Sequence, residues 1–151
     1  MKHLNVIQQA KVERALLQLL LEGLQKTLAW KAYRVELSRK LAVLKYLVEC
    51  FQAHIEQLMK VEERDGYMEA VLQKRPYLSN SVCALRRQHD EFRQEIRLIV
   101  WEIKHVLPTD QNRLNRLFAR ANSLLKRFDG HNKKEAEVLV DSYLRDEGGE
   151  G

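Results

Sequence analysis

Proline and glycine are scarce in this chain of 151 residues, which contains two Pro and six Gly. Hydrophobic residues make up 45% of it and charged residues 31%. This composition excludes a disordered or fibrous chain and is typical of one domain with a substantial core. We expect a single domain over residues 1–146 and a disordered tail over residues 147–151.

Cysteine, long apolar runs and catalytic motifs are also scarce or missing. The two cysteines form no Cys-x-x-Cys pair, which excludes a zinc ribbon or a thioredoxin-like site. If the chain folds back near Pro76, Cys50 and Cys83 lie roughly 27 Å apart along the helix axes, too far for a disulfide. No run is long enough to span a bilayer and no signal region opens the chain, so we predict a soluble, cytoplasmic protein. Without a phosphate loop, H-E-x-x-H or G-x-S-x-G, we predict no enzymatic activity.

The charge of the chain is basic, with a net charge of +5 and a pI near 9.3. The basic pairs are spread along the sequence and carry no interleaved aromatic residues. That pattern matches no nucleic-acid-binding module and is typical of a solvated helix surface. We therefore predict neither a nucleic-acid partner nor a membrane partner.

Four segments carry apolar residues at alternating spacings of three and four, the period of a helix that faces a bundle core. The first apolar seam comprises Ile7, Ala10, Leu17, Leu21, Leu24 and Leu28; the second Leu37, Leu41, Leu44, Val48, Phe51, Ile55 and Leu58; the third Leu78, Val82, Leu85, Phe92, Ile96, Ile99, Ile103 and Val106; the fourth Leu114, Leu117, Ala121, Leu124, Phe128 and Val138. They predict an all-α, antiparallel, up-down-up-down four-helix bundle. Its helices are expected over about 4–29, 37 through the 60s, 80–106 and 110–145.

The expected turns between the predicted helices differ in how clearly the sequence marks them. Pro76 and Pro108 mark two turns, each followed by residues that favour a helix start. The first junction, over residues 30–36, contains neither Gly nor Pro and is placed only by a shift in the apolar pattern. One longer helix there is the open alternative.

Polar residues interrupt three seams at one expected depth. Glu62 follows the second seam, His89 interrupts the third, and His131 and Glu135 interrupt the fourth. Buried polar groups are unfavourable unless they are paired, so the pattern predicts a metal site or a dense hydrogen-bond network. His131 and Glu135 lie one helical turn apart on one face. Imidazole and carboxylate together bind iron, manganese or zinc.

Each of these residues also has a structural interpretation without metal. His89 could be a neutral core histidine bonded to Glu62, and Glu62 could reach solvent where its helix ends. Arg14 interrupts the first seam, and His3 lies at the start of that seam. The expected turn at the first junction would bring His3 to the same depth as Glu62.

The sequence resembles the hemerythrin-like, or HHE cation-binding, domains. The resemblance rests on Gly66-Tyr67-Met68 after Glu62-Glu63, on Leu85-Arg-Arg-Gln-His89-Asp-Glu-Phe, and on His131-x-x-x-Glu135. It implies a four-helix bundle that holds non-haem iron, as one or two ions, and that binds or senses dioxygen or another small diatomic ligand, handles iron or responds to redox state. It also implies that Glu62, His89, His131 and Glu135 are metal ligands.

The sequence departs from that family at Leu58, where the resemblance implies a ligand histidine. His54, one turn earlier, could swing toward the site in its place, or be a surface or core histidine. We retain His3 and His54 as candidate ligands. Because a ligand histidine is missing at Leu58, we expect an incomplete metal site, either mononuclear or asymmetric. The alternative function is that of a metal-free interaction protein whose metal site has decayed.

Glycine lies close to two candidate ligands. Gly66 is expected to mark a helix break, whereas Gly130 could mark a break, a kink or room for a small molecule.

Overall fold

The computed structural model describes residues 2–141, with side chains described for residues 5–138. Its α-helices are α1 Lys2–Ala29, α2 Val35–Glu63, α3 Tyr67–Lys74, α4 Ser79–His105 and α5 Gln111–Glu135. A 3₁₀ turn, Pro76–Leu78, leads into α4, and a π-helical segment, Ala136–Asp141, follows α5. No strand occurs between residues 2 and 141. The expected tail at 147–151 and the end of the expected fourth helix lie outside the described residues.

The four long helices form a bundle. Helix α1 packs on α2, α2 on α4, α4 on α5, and α5 on α1, which closes the ring. The seam residues with described side chains pack into one apolar core, with Leu37, Leu78 and Val138 partly buried at its margin. The prediction of an all-helical bundle is thus confirmed. Within the described range, no helix is both long enough and apolar enough to cross a membrane.

The first junction separates two helices, so the alternative of one longer helix is wrong. Arg34 adopts φ 54° and ψ −120° there, a conformation that L-residues rarely adopt. The buried Lys40 ammonium donates hydrogen bonds to the carbonyls of Leu28 (2.9 Å) and Trp30 (2.7 Å). It also lies 4.4 Å from the centre of the Phe118 ring. This cation therefore compensates the carbonyl end of α1, where unpaired backbone oxygens concentrate negative charge.

Helix α3 corrects the sequence prediction, which assigned no helix between the 60s and residue 80. The chain breaks after α2 at Gly66, whose φ of +87° is accessible to glycine without strain. Four residues of α3 are then buried: Tyr67, Met68, Ala70 and Val71. A helix of eight residues is too short to display a clear apolar period, which explains why the seams did not reveal it.

Three phenylalanines form an aromatic layer beside the candidate ligand His131. The Phe51 and Phe128 ring centres lie 5.0 Å apart, and those of Phe92 and Phe128 lie 5.3 Å apart, both edge to face. The His131 ring packs edge to face on Phe92, with centres 5.2 Å apart. This layer therefore limits the movement of one of the candidate ligands.

The two glycines near the candidate ligands predict opposite responses to alanine. Gly130 lies inside α5, and a Cβ there would meet no atom within 4 Å, so neither a break nor a close approach requires glycine. We expect Gly130→Ala to raise the free energy of unfolding by about 0.5–1 kcal/mol. Gly66→Ala should lower it by about 1–2 kcal/mol because of the positive φ. Urea denaturation measures both, and a loss of stability in Gly130→Ala would contradict the expectation.

Candidate metal centre

A buried polar layer joins the four long helices. Helix α1 contributes Arg14, α2 contributes Glu62, α4 contributes His89, and α5 contributes His131 and Glu135. The side chains of Glu62 and Glu135 have no solvent exposure, and that of His89 has 1%. The sequence-predicted residues Glu62, His89, His131 and Glu135 are therefore brought together in one place.

Two imidazoles converge on one carboxylate oxygen. The Glu135 Oε2 atom lies 3.0 Å from His89 Nε2 and 2.7 Å from His131 Nε2. These three residues each offer a donor atom within 4.8 Å of the other two. His131 reaches this position because it lies one turn before Glu135 on the same face of α5.

The outer nitrogen of each imidazole has its own partner. His131 Nδ1 lies 2.6 Å from the side-chain oxygen of Gln88, and His89 Nδ1 lies 3.1 Å from a Glu63 oxygen. Both partners are acceptors, so each Nδ1 carries the hydrogen and donates it. Such outer hydrogen bonds fix the ring orientation of histidines that ligate metals.

This arrangement leaves an excess of acceptors at the centre. A neutral imidazole that donates through Nδ1 has only a lone pair at Nε2, and a carboxylate oxygen is also an acceptor. His89 and His131 would thus direct lone pairs at Glu135 unless a proton or a metal cation lies between them. Adjacent ligands at about 2.0–2.2 Å from a shared ion lie about 3.3–3.6 Å apart at the tetrahedral angle and about 2.8–3.1 Å apart at 90°. The observed separations of 2.7 and 3.0 Å lie at the lower limit of that range, and they also match hydrogen bonds through a shared proton.

A second carboxylate oxygen borders this position. Glu62 Oε2 is buried, accepts no hydrogen bond among the described residues and lies 3.4 Å from His89 Nε2. An unpaired buried oxygen is unfavourable, and a cation would compensate it. The side-chain chemistry of the layer therefore fits a metal ion bound by nitrogen and oxygen ligands.

The guanidinium of Arg14 lies on the other side of the two carboxylates. Its Nη2 atom donates to Glu62 Oε1 at 2.6 Å and to Glu135 Oε1 at 2.9 Å. Tyr67 lies beside it, with its ring centre 6.0 Å from the guanidinium carbon. Burial raises the pKa of this tyrosine, so its phenol stays protonated. The charge of Arg14 is the nearest compensation for both carboxylates.

The pKa values of the two carboxylates are shifted in opposite directions. Burial and then the charge of Glu135 raise the pKa of Glu62 well above its ordinary value, against the opposing effect of Arg14. Burial would also raise the pKa of Glu135, but hydrogen bonds with Glu62, His131 and His89 and the charge of Arg14 hold it well below its ordinary value. The two carboxylates therefore titrate as one coupled pair, and neither can be treated as a separate group.

His89 also responds to its carboxylate neighbours. Burial lowers its pKa, but hydrogen bonds with Glu135 and Glu63 and the charges of those two groups raise it by more in total. The net shift is upward. His89 is therefore predisposed to hold a positive charge when no metal ion lies at Nε2.

The remaining candidate ligands were His54 and His3. The structure does not bring His54 to the layer: its Nδ1 bonds to Glu13 at 2.7 Å, and its side chain is 35% exposed. Leu58 is buried in the apolar core. The side chain of His3 lies outside the described residues. His105 bonds to the Trp101 carbonyl near the end of α4 and lies on the surface.

Sequence reasoning missed the residues that surround the ligands. Arg14 was visible only as a charged residue on an apolar seam, and its pairing with the carboxylates could not be predicted from spacing. Glu63 and Gln88 each directly precede or follow a candidate ligand, a position that normally points to another face of the helix. The sequence alone therefore gives little indication that Glu63 and Gln88 accept hydrogen bonds from the two histidines.

A surface groove reaches the site between α4 and α5. Its volume is about 280 Å³, and its lining includes Phe92, Gly130 and His131. Gly130 and the buried His131 are neighbours in this lining. A small molecule could approach His131 by this route.

The outer carboxylate Glu63 predicts a change in acid stability. Burial raises its pKa, but hydrogen bonds from His89 and Arg93 and the charge of Arg93 lower it to about 2. A carboxylate with a lowered pKa stabilises the fold above its unfolded value near 4.5, and this contribution is lost as the pH falls toward 2. We expect Glu63→Gln to flatten the decline of unfolding free energy between those pH values. Chemical denaturation at several pH values measures it, with Glu69→Gln on the surface of α3 as control; equal slopes in Glu63→Gln and wild type would contradict it.

Comparison with known proteins gave no relatives. No family model, no curated protein and no solved structure matches this chain.

Proposed function

We propose that this chain is a hemerythrin-like, antiparallel four-helix bundle that binds one non-haem iron ion through His89, His131 and Glu135, with Glu62 beside them. The observation that carries the proposal is the convergence of two imidazole Nε2 atoms on one carboxylate oxygen, at 3.0 and 2.7 Å. Both Nδ1 atoms are already used in hydrogen bonds to outer acceptors. The preference for iron over manganese or zinc rests on the resemblance to the HHE cation-binding domains.

The antiparallel order is supported by contacts between α1 and α2. Gly23 lies near Leu47, and Arg14 pairs with Glu62, so residues farther from the first junction on one helix meet residues farther from it on the other. This is the relation expected of an up-down connection.

The proposed role is oxygen or redox sensing, or iron handling. An iron ion held by two imidazoles and one carboxylate supplies one-electron chemistry and retains open positions for dioxygen or another small diatomic ligand. The residues of this chain hold the ligands in place: Glu63 and Gln88 orient the two imidazoles, and Phe92 packs against His131. The groove at Gly130 provides an approach for a small ligand.

Metal content tests this proposal. We expect about one iron per chain after anaerobic reconstitution with ferrous iron, measured by mass spectrometry on untagged protein, and an absorption spectrum that differs between air and nitrogen. His131→Ala should weaken iron binding by more than the 10–100-fold that is typical of losing an outer partner. His54→Ala is the matched control and should leave iron binding unchanged, since His54 pairs with Glu13. Equal iron content in wild type and His131→Ala would overturn the assignment of ligands.

A second candidate function is that of a metal-free interaction protein whose polar layer is a hydrogen-bond network. The observation that favours it is the pairing of Arg14 with both Glu62 and Glu135, which already compensates buried negative charge. A protonated His89 would donate to Glu135 and complete the network. Wild-type protein that binds no iron, manganese or zinc after reconstitution would overturn the first candidate and favour this one.

A further inference from the structure

The two buried carboxylates of the layer each divide their oxygens between two positions. Glu62 Oε1 and Glu135 Oε1 lie 2.6 and 2.9 Å from Arg14 Nη2. Glu62 Oε2 and Glu135 Oε2 lie 3.4 and 3.0 Å from His89 Nε2. Both side chains therefore bridge a position filled by the guanidinium and a position lined by histidine.

Carboxylates that bridge two positions in this way are suited to compensate two cations at once. Two-metal sites in proteins hold their ions about 3.5–4 Å apart. Here a single guanidinium nitrogen contacts both carboxylates, as a bridged ion would, instead of forming the paired contacts with one carboxylate that arginine favours.

Arg14 is built into the layer as a permanent charge. Its side chain is 12% exposed, and a guanidinium does not lose its proton in a protein. Burial would lower its pKa, but the charges of Glu62 and Glu135 raise it by more in total. A cation held covalently by α1 cannot dissociate, unlike a metal ion.

We propose that Arg14 is a built-in cation that fills the second position of a carboxylate-bridged two-cation centre and so limits the protein to one metal ion. The inference rests on the proposed function, because the first position is the one lined by His89, His131 and Glu135. Removing the guanidinium while keeping both carboxylates then opens a second metal site between Glu62 and Glu135.

Metal stoichiometry in Arg14 variants tests this inference. Wild type, Arg14→Lys, Arg14→Ala and Arg14→His are titrated with Mn²⁺ under nitrogen, and bound metal is counted by mass spectrometry after removal of free ions. Arg14→Lys keeps a positive charge and is the matched control. We expect one Mn²⁺ per chain in wild type and Arg14→Lys, and two in Arg14→Ala and Arg14→His. The second ion should also change the electron paramagnetic resonance spectrum from that of an isolated Mn²⁺ to that of a coupled pair.

Arg14→Ala and Arg14→His are both included so that, if one of them fails to fold, the other decides the test. Circular dichroism establishes the helical fold of each variant, and if Arg14→Ala is unfolded, Arg14→His decides, because an imidazole supplies both bulk and a metal ligand. One Mn²⁺ in the folded variants, or two in wild type, would overturn the inference and leave metal binding intact.

The proposed function fails in a different way from the inference. Wild type without Mn²⁺, or without iron under the same conditions, overturns one-ion binding, whereas one Mn²⁺ in wild type and in both folded variants overturns only the role of Arg14. No metal in wild type, Arg14→Ala and Arg14→His overturns both.

Discussion

Replacing Glu135 by Gln should abolish metal binding and lower the free energy of unfolding by about 3–5 kcal/mol. Its Oε2 atom is shared by His89 and His131, and its Oε1 atom accepts from Arg14. A neutral amide leaves the buried guanidinium with much less compensating charge. It also removes the anionic ligand on which both imidazoles converge. Urea denaturation and metal analysis by mass spectrometry measure the two effects.

The matched control for Glu135→Gln is Glu69→Gln on the surface of α3. Exposed substitutions without specific contacts usually change stability by less than about 0.5 kcal/mol. If Glu135→Gln were as stable as Glu69→Gln, the buried layer would not depend on this carboxylate. If it kept its metal, the ligand set proposed above would be wrong.

Lys40→Met should lower the free energy of unfolding by about 3 kcal/mol without changing metal content. Hydrogen bonds to a charged group contribute about 1.5–3 kcal/mol each, and Lys40 donates two of them to the carbonyls at the end of α1. Methionine retains most of the apolar stem but neither the hydrogen bonds nor the charge over Phe118. Urea denaturation measures the loss, and metal analysis on the same samples measures iron.

Lys45→Met is the control for this second substitution, since Lys45 is exposed on the same helix. A change below about 0.5 kcal/mol is expected for it. Together with Glu135→Gln, the Lys40 variant separates two effects: both destabilise the bundle, but only the loss of the carboxylate removes a ligand. Loss of metal from Lys40→Met at a concentration of urea where the protein is still folded would contradict this separation.

The apolar seams predicted the bundle and the depth of four polar residues. A helix repeats its faces every 3.6 residues, so a residue that interrupts a seam is directed at the core whatever its chemistry. Glu62, His89 and His131 could be placed in the core on that basis alone, and the structure buries all of them. Their function as metal ligands stays a prediction.

Other features had no periodic signal. Arg34 stands where a glycine or proline usually marks a helix junction, and nothing in its residue type indicates its φ of 54°. Helix α3 has eight residues, fewer than the roughly 11–18 over which an apolar period can be recognised. Arg14 lay on a seam, but a lone charged residue does not reveal which carboxylates it will meet, because that depends on how three helices come together.

The two Arg14 contacts join segments at very different separations along the chain. Its partner on α2 lies 48 residues away in sequence, whereas its partner on α5 lies 121 residues away. Loop closure over longer separations has a larger entropic penalty and slows folding. We therefore expect the α1 and α2 hairpin to form with Arg14 neutralised by Glu62, and the last helix to dock afterwards. In a growing chain the layer would be completed only once Glu135 has been synthesised, so the first and the last of the four long helices are both needed before the centre exists.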